Sequence, residues 1–169
     1  MKQITEQLMT VLMADDDPDD CMLVREAFDE CRIGCNLRFV DDGPSLLDYL
    51  YQRNPYDDPA DSPRPHLILL DLNMPKKDGR EILKVIKKNK VFSAIPVVVL
   101  TTSMEEADVM LAYKSGAASY VIKPGDFEGL TDFVRRLGDY WLGCVRLPFF
   151  YEDGSLMTEN EPDAGGAGQ

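Results

Sequence analysis

Histidine occurs once in these 169 residues and cysteine four times, with no CxxC pair. The lone His66 is distant in sequence from Cys21, Cys31, Cys35 and Cys144. Neither a zinc-site spacing nor a dithiol redox pair is available, so the cysteines are expected to be small apolar core residues. Basic residues are also scarce, with 18 lysines and arginines against 30 acids and a formal charge of -12. Nucleic acids and anionic membrane surfaces are bound through basic patches, so both are excluded as expected partners. No apolar run approaches the roughly 20 residues needed to cross a bilayer, and the first residues, MKQITEQLMT, lack a signal-peptide core. A cytoplasmic protein is the expectation. What the chain does have is 44% hydrophobic residues, enough for one sizeable core and one domain.

Apolar periodicity divides that domain into alternating strands and helices. A strand is expected at 8–14, then a helix in PDDCMLVREAFDEC with Val24, Phe28 and Cys31, beside Leu23 and Ala27, on one face. Leu37 and Phe39 alternate with polar neighbours as a second strand, followed by a short helix around Leu46, Leu47 and Leu50. The four apolar residues at 67–70, bounded by Pro65 and Pro75, read as a strand buried on both faces. Ile82, Leu83 and Ile86 form the next helical stripe, and 97–100 is a fourth buried strand. Ser103 and Glu106 have the spacing of a capping box, which predicts a helix start there, and Gly116 is placed to end that helix in a left-handed conformation. A fifth strand at 120–122 precedes a last helix from about Phe127, with Leu130, Phe133, Val134, Leu137 and Trp141 on its apolar side. Five such repeats predict an α/β domain with a parallel sheet covered on both faces.

Two segments depart from the pattern. Residues 53–65 contain Pro55, Pro59, Pro63 and Pro65 among Asp57, Asp58 and Asp61, and read as a loop. Residues 151–169 are acidic and Gly-rich and are expected to be a disordered tail, leaving 1–150 as the domain with an apolar C-terminal extension.

Polar residues stand at four strand ends. Asp15 and Asp16 follow the first, Asp71 the third, Thr101 the fourth and Lys123 the fifth. In a parallel sheet these ends share one edge, where ligands gather at the reversal of strand order. Crowded carboxylates repel one another, and a divalent cation removes that cost. Hard oxygen ligands with few direct carboxylates suit magnesium, which prefers to meet a phosphate as well. Lys123 and Thr101 would hold phosphoryl oxygens by charge and hydrogen bond, and Asp71 would be the nucleophile.

The segments VLMADDDPDD, LILLDLNMPKKDG, VVVLTTS and YVIKP together resemble the receiver domain of two-component response regulators, over roughly residues 9–145. That likeness implies a doubly wound, flavodoxin-like sheet of order 2-1-3-4-5 and phosphotransfer from a kinase phosphohistidine to Asp71. It implies magnesium, or manganese in its place, on Asp16 and Asp71, on Asp15 largely through water, and on the backbone carbonyl of Asn73. It gives Thr101 and Lys123 the phosphoryl contacts and Tyr120 the role of an aromatic that turns inward when Thr101 moves. Phosphorylation and dephosphorylation would be self-catalysed, in a signalling protein rather than an enzyme with a separate substrate.

The Pro-rich insert and the segment DYWLGCVRLP are similar to regulators paired with bacterial phytochrome histidine kinases. This implies a phytochrome-type kinase partner and a homodimer, with Trp141, Leu147, Phe149 and Phe150 as interface candidates; the alternative is that the extension folds back on its own domain. With no output domain expected, signalling would use a partner surface or a phosphorelay. Two rival classes are weighed against this. An aspartate-nucleophile phosphohydrolase wants an acid two residues after the nucleophile, where Asn73 stands. A flavodoxin-like cofactor binder wants a phosphate-cradling loop where DDDPDD stands.

Overall fold

The computed structural model describes residues 8–150. The tail expectation for 151–169 lies outside the described residues. The elements are β1 (Thr10–Ala14), α1 (Pro18–Glu30), β2 (Asn36–Val40), α2 (Gly43–Leu50), β3 (Leu67–Leu70), α3 (Gly79–Lys88), β4 (Val97–Thr101), α4 (Glu106–Lys114), β5 (Ser119–Ile122) and α5 (Phe127–Leu137). All five strands are parallel, in the order β2-β1-β3-β4-β5. Alternate residues of each central strand supply two separate cores. Leu12, Ile68, Leu70, Val97 and Val99 meet Leu46, Leu50, Ile82, Leu83 and Ile86 on the α2–α3 side. Val11, Met13, Leu67, Leu69, Val98 and Leu100 meet Val24, Phe28, Leu130 and Val134 of α1 and α5 on the other. Strands buried on both faces carry unbroken apolar runs for this reason. Among the described residues, no helix is long and apolar enough to cross a membrane.

Aspartates start four of the helices. Asp17, Asp42, Asp78 and Asp126 each accept a backbone N–H in the first turn of α1, α2, α3 and α5. Gly116, at φ 99°, ends α4 as its sequence position predicts.

Two expectations are corrected. β1 begins at Thr10 rather than at residue 8, because its partner β2 begins opposite at Asn36 and Leu8 is left exposed. The capping box does not form: α4 starts at Glu106, no side chain caps Glu105, and the Ser103 hydroxyl instead donates to Asp108. That carboxylate is held from the other side by Arg80 of α3, which also grips Asp78, so a long-range ion network outweighs the local cap. For the C-terminal segment, the fold-back alternative describes this chain. α5 continues into a π-helical turn, Gly138–Cys144, and the chain then folds back on its own domain. Leu147 is buried and Phe150 is partly buried against the α2–α3 core, while Phe149 is exposed beside His66. Trp141 is half-buried against the α1–α5 core. The Pro-rich segment takes part in the same packing, since the Arg64 guanidinium lies over the rings of Phe92 and Phe150. All four cysteines are free thiols.

The lone histidine has a structural place. His66 Nδ1 accepts the Thr10 N–H at 3.0 Å, and burial lowers its pKa below the ordinary 6.5. The unfolded chain therefore binds this proton more readily than the folded one. The stability involved is fully present above about pH 6.5 and is lost as pH falls toward the folded value. Urea unfolding across this range is expected to show a steeper loss for wild type than for His66→Gln. Parallel curves would remove the histidine from the explanation.

Candidate functional site

The chain runs from β1 to β2 on one side and returns to β3 on the other, so the ends of β1 and β3 flank the reversal of strand order. Asp15, Asp16, Asp71 and Lys123 meet there, and Thr101 ends the neighbouring strand β4. Asp15 is 1% exposed, Asp71 6% and Thr101 0%, whereas Asp16 faces solvent. Carboxylate oxygens of Asp15, Asp16 and Asp71 all lie within 4.8 Å of one another. Backbone geometry fixes two of them. Asp15 Oδ1 accepts the Asp17 N–H at 3.0 Å, and Asp71 Oδ1 accepts the Asn73 N–H at 3.2 Å.

Lys123 enters from the end of β5. Its ammonium is 3.2 Å from Asp71 Oδ2, 2.6 Å from Asp15 Oδ2 and 2.6 Å from Asp20 Oδ2. The contacts to Asp71 and Asp20 are hydrogen bonds. That to Asp15 is a charge contact outside hydrogen-bond geometry, and Asp15 Oδ2 is buried with no hydrogen-bond partner. Burial pushes the Asp15 carboxyl above its ordinary range, against the pull of Lys123 and the Asp17 N–H, with the charge of Asp71 adding to the rise. Burial alone would lower Lys123, but the bonds and charges of its acidic neighbours hold it well above the usual lysine value. A buried carboxylate oxygen held only by an ion contact, beside two further acids, belongs to a donor set that suits a hard divalent cation.

Thr101 Oγ1 accepts the Ser103 N–H at 3.4 Å, which leaves its own hydroxyl proton to donate. Tyr120 is half-buried against the α2–α3 core, and its hydroxyl donates to the Ser103 carbonyl at 3.0 Å. The ring already points inward in this arrangement. The sequence reading took Asp20 only as an acid in the first turn of a helix. Its bond to Lys123 joins residues 103 positions apart, and no local pattern signals it.

The family model for the response regulator receiver domain matches residues 11–135. Response regulator Rcp1 of Synechocystis is 41% identical over 138 residues, covering 82% of this chain and 92% of that protein. The solved Mn(2+)-bound form of Rcp1 is similar with a TM-score of 0.76 and 40% identity, over 83% of this chain and 99% of its own. The phosphorylated cyanobacterial phytochrome response regulator RcpA is similar at a TM-score of 0.77 and 36% identity, over 84% of this chain and 99% of its own. Response regulator RPA3017, described in red light signalling of R. palustris, reaches a TM-score of 0.79 at 36% identity, over the same shares of the two chains.

Proposed function

This chain belongs to the response regulator receiver domain family, and we propose that it takes a phosphoryl group from the phosphohistidine of a histidine kinase onto Asp71. One observation carries the proposal: a buried carboxylate at the end of β3 stands 3.2 Å from an ammonium and beside two further carboxylates. An Asp71 oxygen attacks phosphorus, the P–N bond to the kinase imidazole breaks, and its electron pair leaves with the nitrogen, which takes a proton from solvent. Lys123 answers the new charge, and the Thr101 hydroxyl donates to a phosphoryl oxygen. In the reverse direction of signalling, water attacks phosphorus, the bond to Asp71 breaks, and phosphate leaves while Asp71 regains its carboxylate. The protein's own site would serve both steps, without a separate enzymatic substrate.

Asp15, Asp16 and Asp71, with the backbone carbonyl of Asn73, would hold magnesium, or manganese in its place. Such an ion supplies positive charge to the phosphoryl oxygens as negative charge develops. Because it binds the folded site and not the dispersed carboxylates, magnesium at a hundredfold excess over its Kd should stabilise the chain by about 2.7 kcal/mol. Asp16→Ala should remove most of that gain in a thermal melt. A wild-type melt insensitive to magnesium would mean that the three acids do not form a metal site.

The likeness to RcpA, a cyanobacterial phytochrome response regulator, and to RPA3017, of red light signalling, supports a bacterial phytochrome as the kinase, and membership of the receiver family supports a cytoplasmic setting. A phosphotransfer screen against the histidine kinases of the source organism tests this, and faster transfer from a non-phytochrome kinase would overturn it. We also propose a homodimer whose strength follows the state of Asp71, using β4, β5, α5 and the segment from Trp141 to Phe150, where Phe149 is exposed. Sedimentation with and without beryllofluoride decides this. Identical monomer-dimer constants would send the output to another surface, as would be expected of a phosphorelay intermediate.

A further inference from the structure

Lys123 has a partner outside the acidic cluster. Its bond to Asp20 Oδ2, at 2.6 Å, is shorter than its bond to Asp71 Oδ2, at 3.2 Å. Asp20 lies in the first turn of α1, its side chain 34% exposed against 12% for Lys123, so the pair is only partly screened by water. The two residues stand together in a cavity of about 240 Å³ between α1 and the segment joining β5 to α5, among the apolar side chains of Leu23, Val24, Leu100 and Leu130.

We propose that Asp20 is a positioning residue that holds the Lys123 ammonium off the phosphoryl position and thereby weakens retention of a phosphoryl group at Asp71. The proposal rests on Asp71 being the phosphoacceptor. An ammonium has three N–H donors, and here three carboxylates, of Asp15, Asp20 and Asp71, surround it. A phosphoryl group brings about -1.5 to -2 charges and three acceptor oxygens. To meet them, Lys123 must release an existing partner. Asp15, equally close at 2.6 Å, and Asp71 belong to the proposed metal and acceptor set, so Asp20 is the partner with no other part in that set and the one whose charge-assisted bond competes. A helix-start acid acting only on the helix dipole would affect stability and leave phosphoryl affinity alone.

The test is a titration of the full chain with beryllofluoride in the presence of magnesium, with a thermal melt of each variant alongside. Asp20→Asn should bind the analogue about fivefold more tightly, the gain expected when one partly screened charge-assisted bond stops competing. Asp20→Glu, which restores the carboxylate, should return affinity to within about twofold of wild type. Asp19→Asn is the control: it removes the same charge from the same turn, and Asp19 makes no contact with Lys123 among the described residues. Unchanged or weaker binding in Asp20→Asn overturns the proposal. An equal gain in Asp19→Asn also overturns it, since the effect would then be long-range charge and not the hold on Lys123. Wild-type protein that binds no analogue at all would instead overturn the assignment of Asp71, a result separable from the others.

Discussion

Asp71→Asn is expected to abolish the acid-labile, magnesium-dependent label that a phosphodonor should leave on the wild-type chain, with the fold retained. The amide keeps the size of the carboxylate, and its oxygen still accepts the Asn73 N–H that fixes the side chain at 3.2 Å. What it lacks is a nucleophilic oxygen carrying negative charge, and among the described residues no other carboxylate in contact with Lys123 stands at the end of β3. Asp15 is turned into the charge cluster with one oxygen already bonded to the Asp17 N–H, and Asp16 faces solvent. Intact-mass measurement after exposure to a small phosphodonor checks the expectation directly. Retention of the label would move the acceptor elsewhere, and Asp16→Asn in the same background would be the next variant to make.

Gly79→Ala carries the largest expected cost in stability. This residue opens α3, and a Cβ built on it would lie 2.3 Å from the Asp71 carbonyl oxygen and 2.7 Å from Leu72 Cα. Both neighbours are backbone, so rotamer changes cannot relieve the overlap. The helix must withdraw from the strand end, or the strand end must shift. Overpacking of this kind costs about 3 kcal/mol, which for a domain of this size lowers Tm by roughly 6 to 12 °C. The shift falls on the phosphoacceptor itself, so phosphoryl uptake should decline more than an equally destabilising change in the α1–α5 core would cause. A variant such as Val134→Ala supplies that comparison, with uptake measured well below both melting temperatures. An unchanged Tm in Gly79→Ala would show that the contact yields without cost.

The parts of this architecture that were legible from the sequence are those in which a local pattern has one physical solution. Leu67–Leu70 and the run from Val97 are apolar on both faces because both faces are covered, and the first polar residue after each then marks the sheet edge. Asp71, Thr101 and Lys123 were found in this way. The errors fall where local chemistry competes with distant chemistry. Ser103 has the spacing of a cap, but Arg80 and Asp108 recruit its hydroxyl into a network tied to α3. Asp20 has the look of a helix-start acid, and only the approach of β5 to α1 gives it Lys123. The aromatic C-terminal segment shows that some surface must be covered without saying whose. The answer depends on Arg64, from a loop that the sequence marks only by its prolines.

The aspartates that begin the helices have an electrical consequence. In a parallel sheet every helix that follows a strand starts at the same edge, so the caps Asp17, Asp42, Asp78 and Asp126 lie at the same end of the molecule as Asp15, Asp16, Asp20 and Asp71. Lys76 and Lys123 are already paired with acids of this group, and Arg80 bridges Asp78 and Asp108. That edge of the sheet is therefore rich in carboxylates, and their summed charge favours cations over free anions. A small dianionic donor must diffuse against that field. A phosphohistidine on a protein arrives under different conditions, since contacts elsewhere on the kinase can hold it in place while the local repulsion is overcome. Raising ionic strength shortens the reach of the field to about 8 Å at physiological salt. It thus narrows the expected difference between the two kinds of donor.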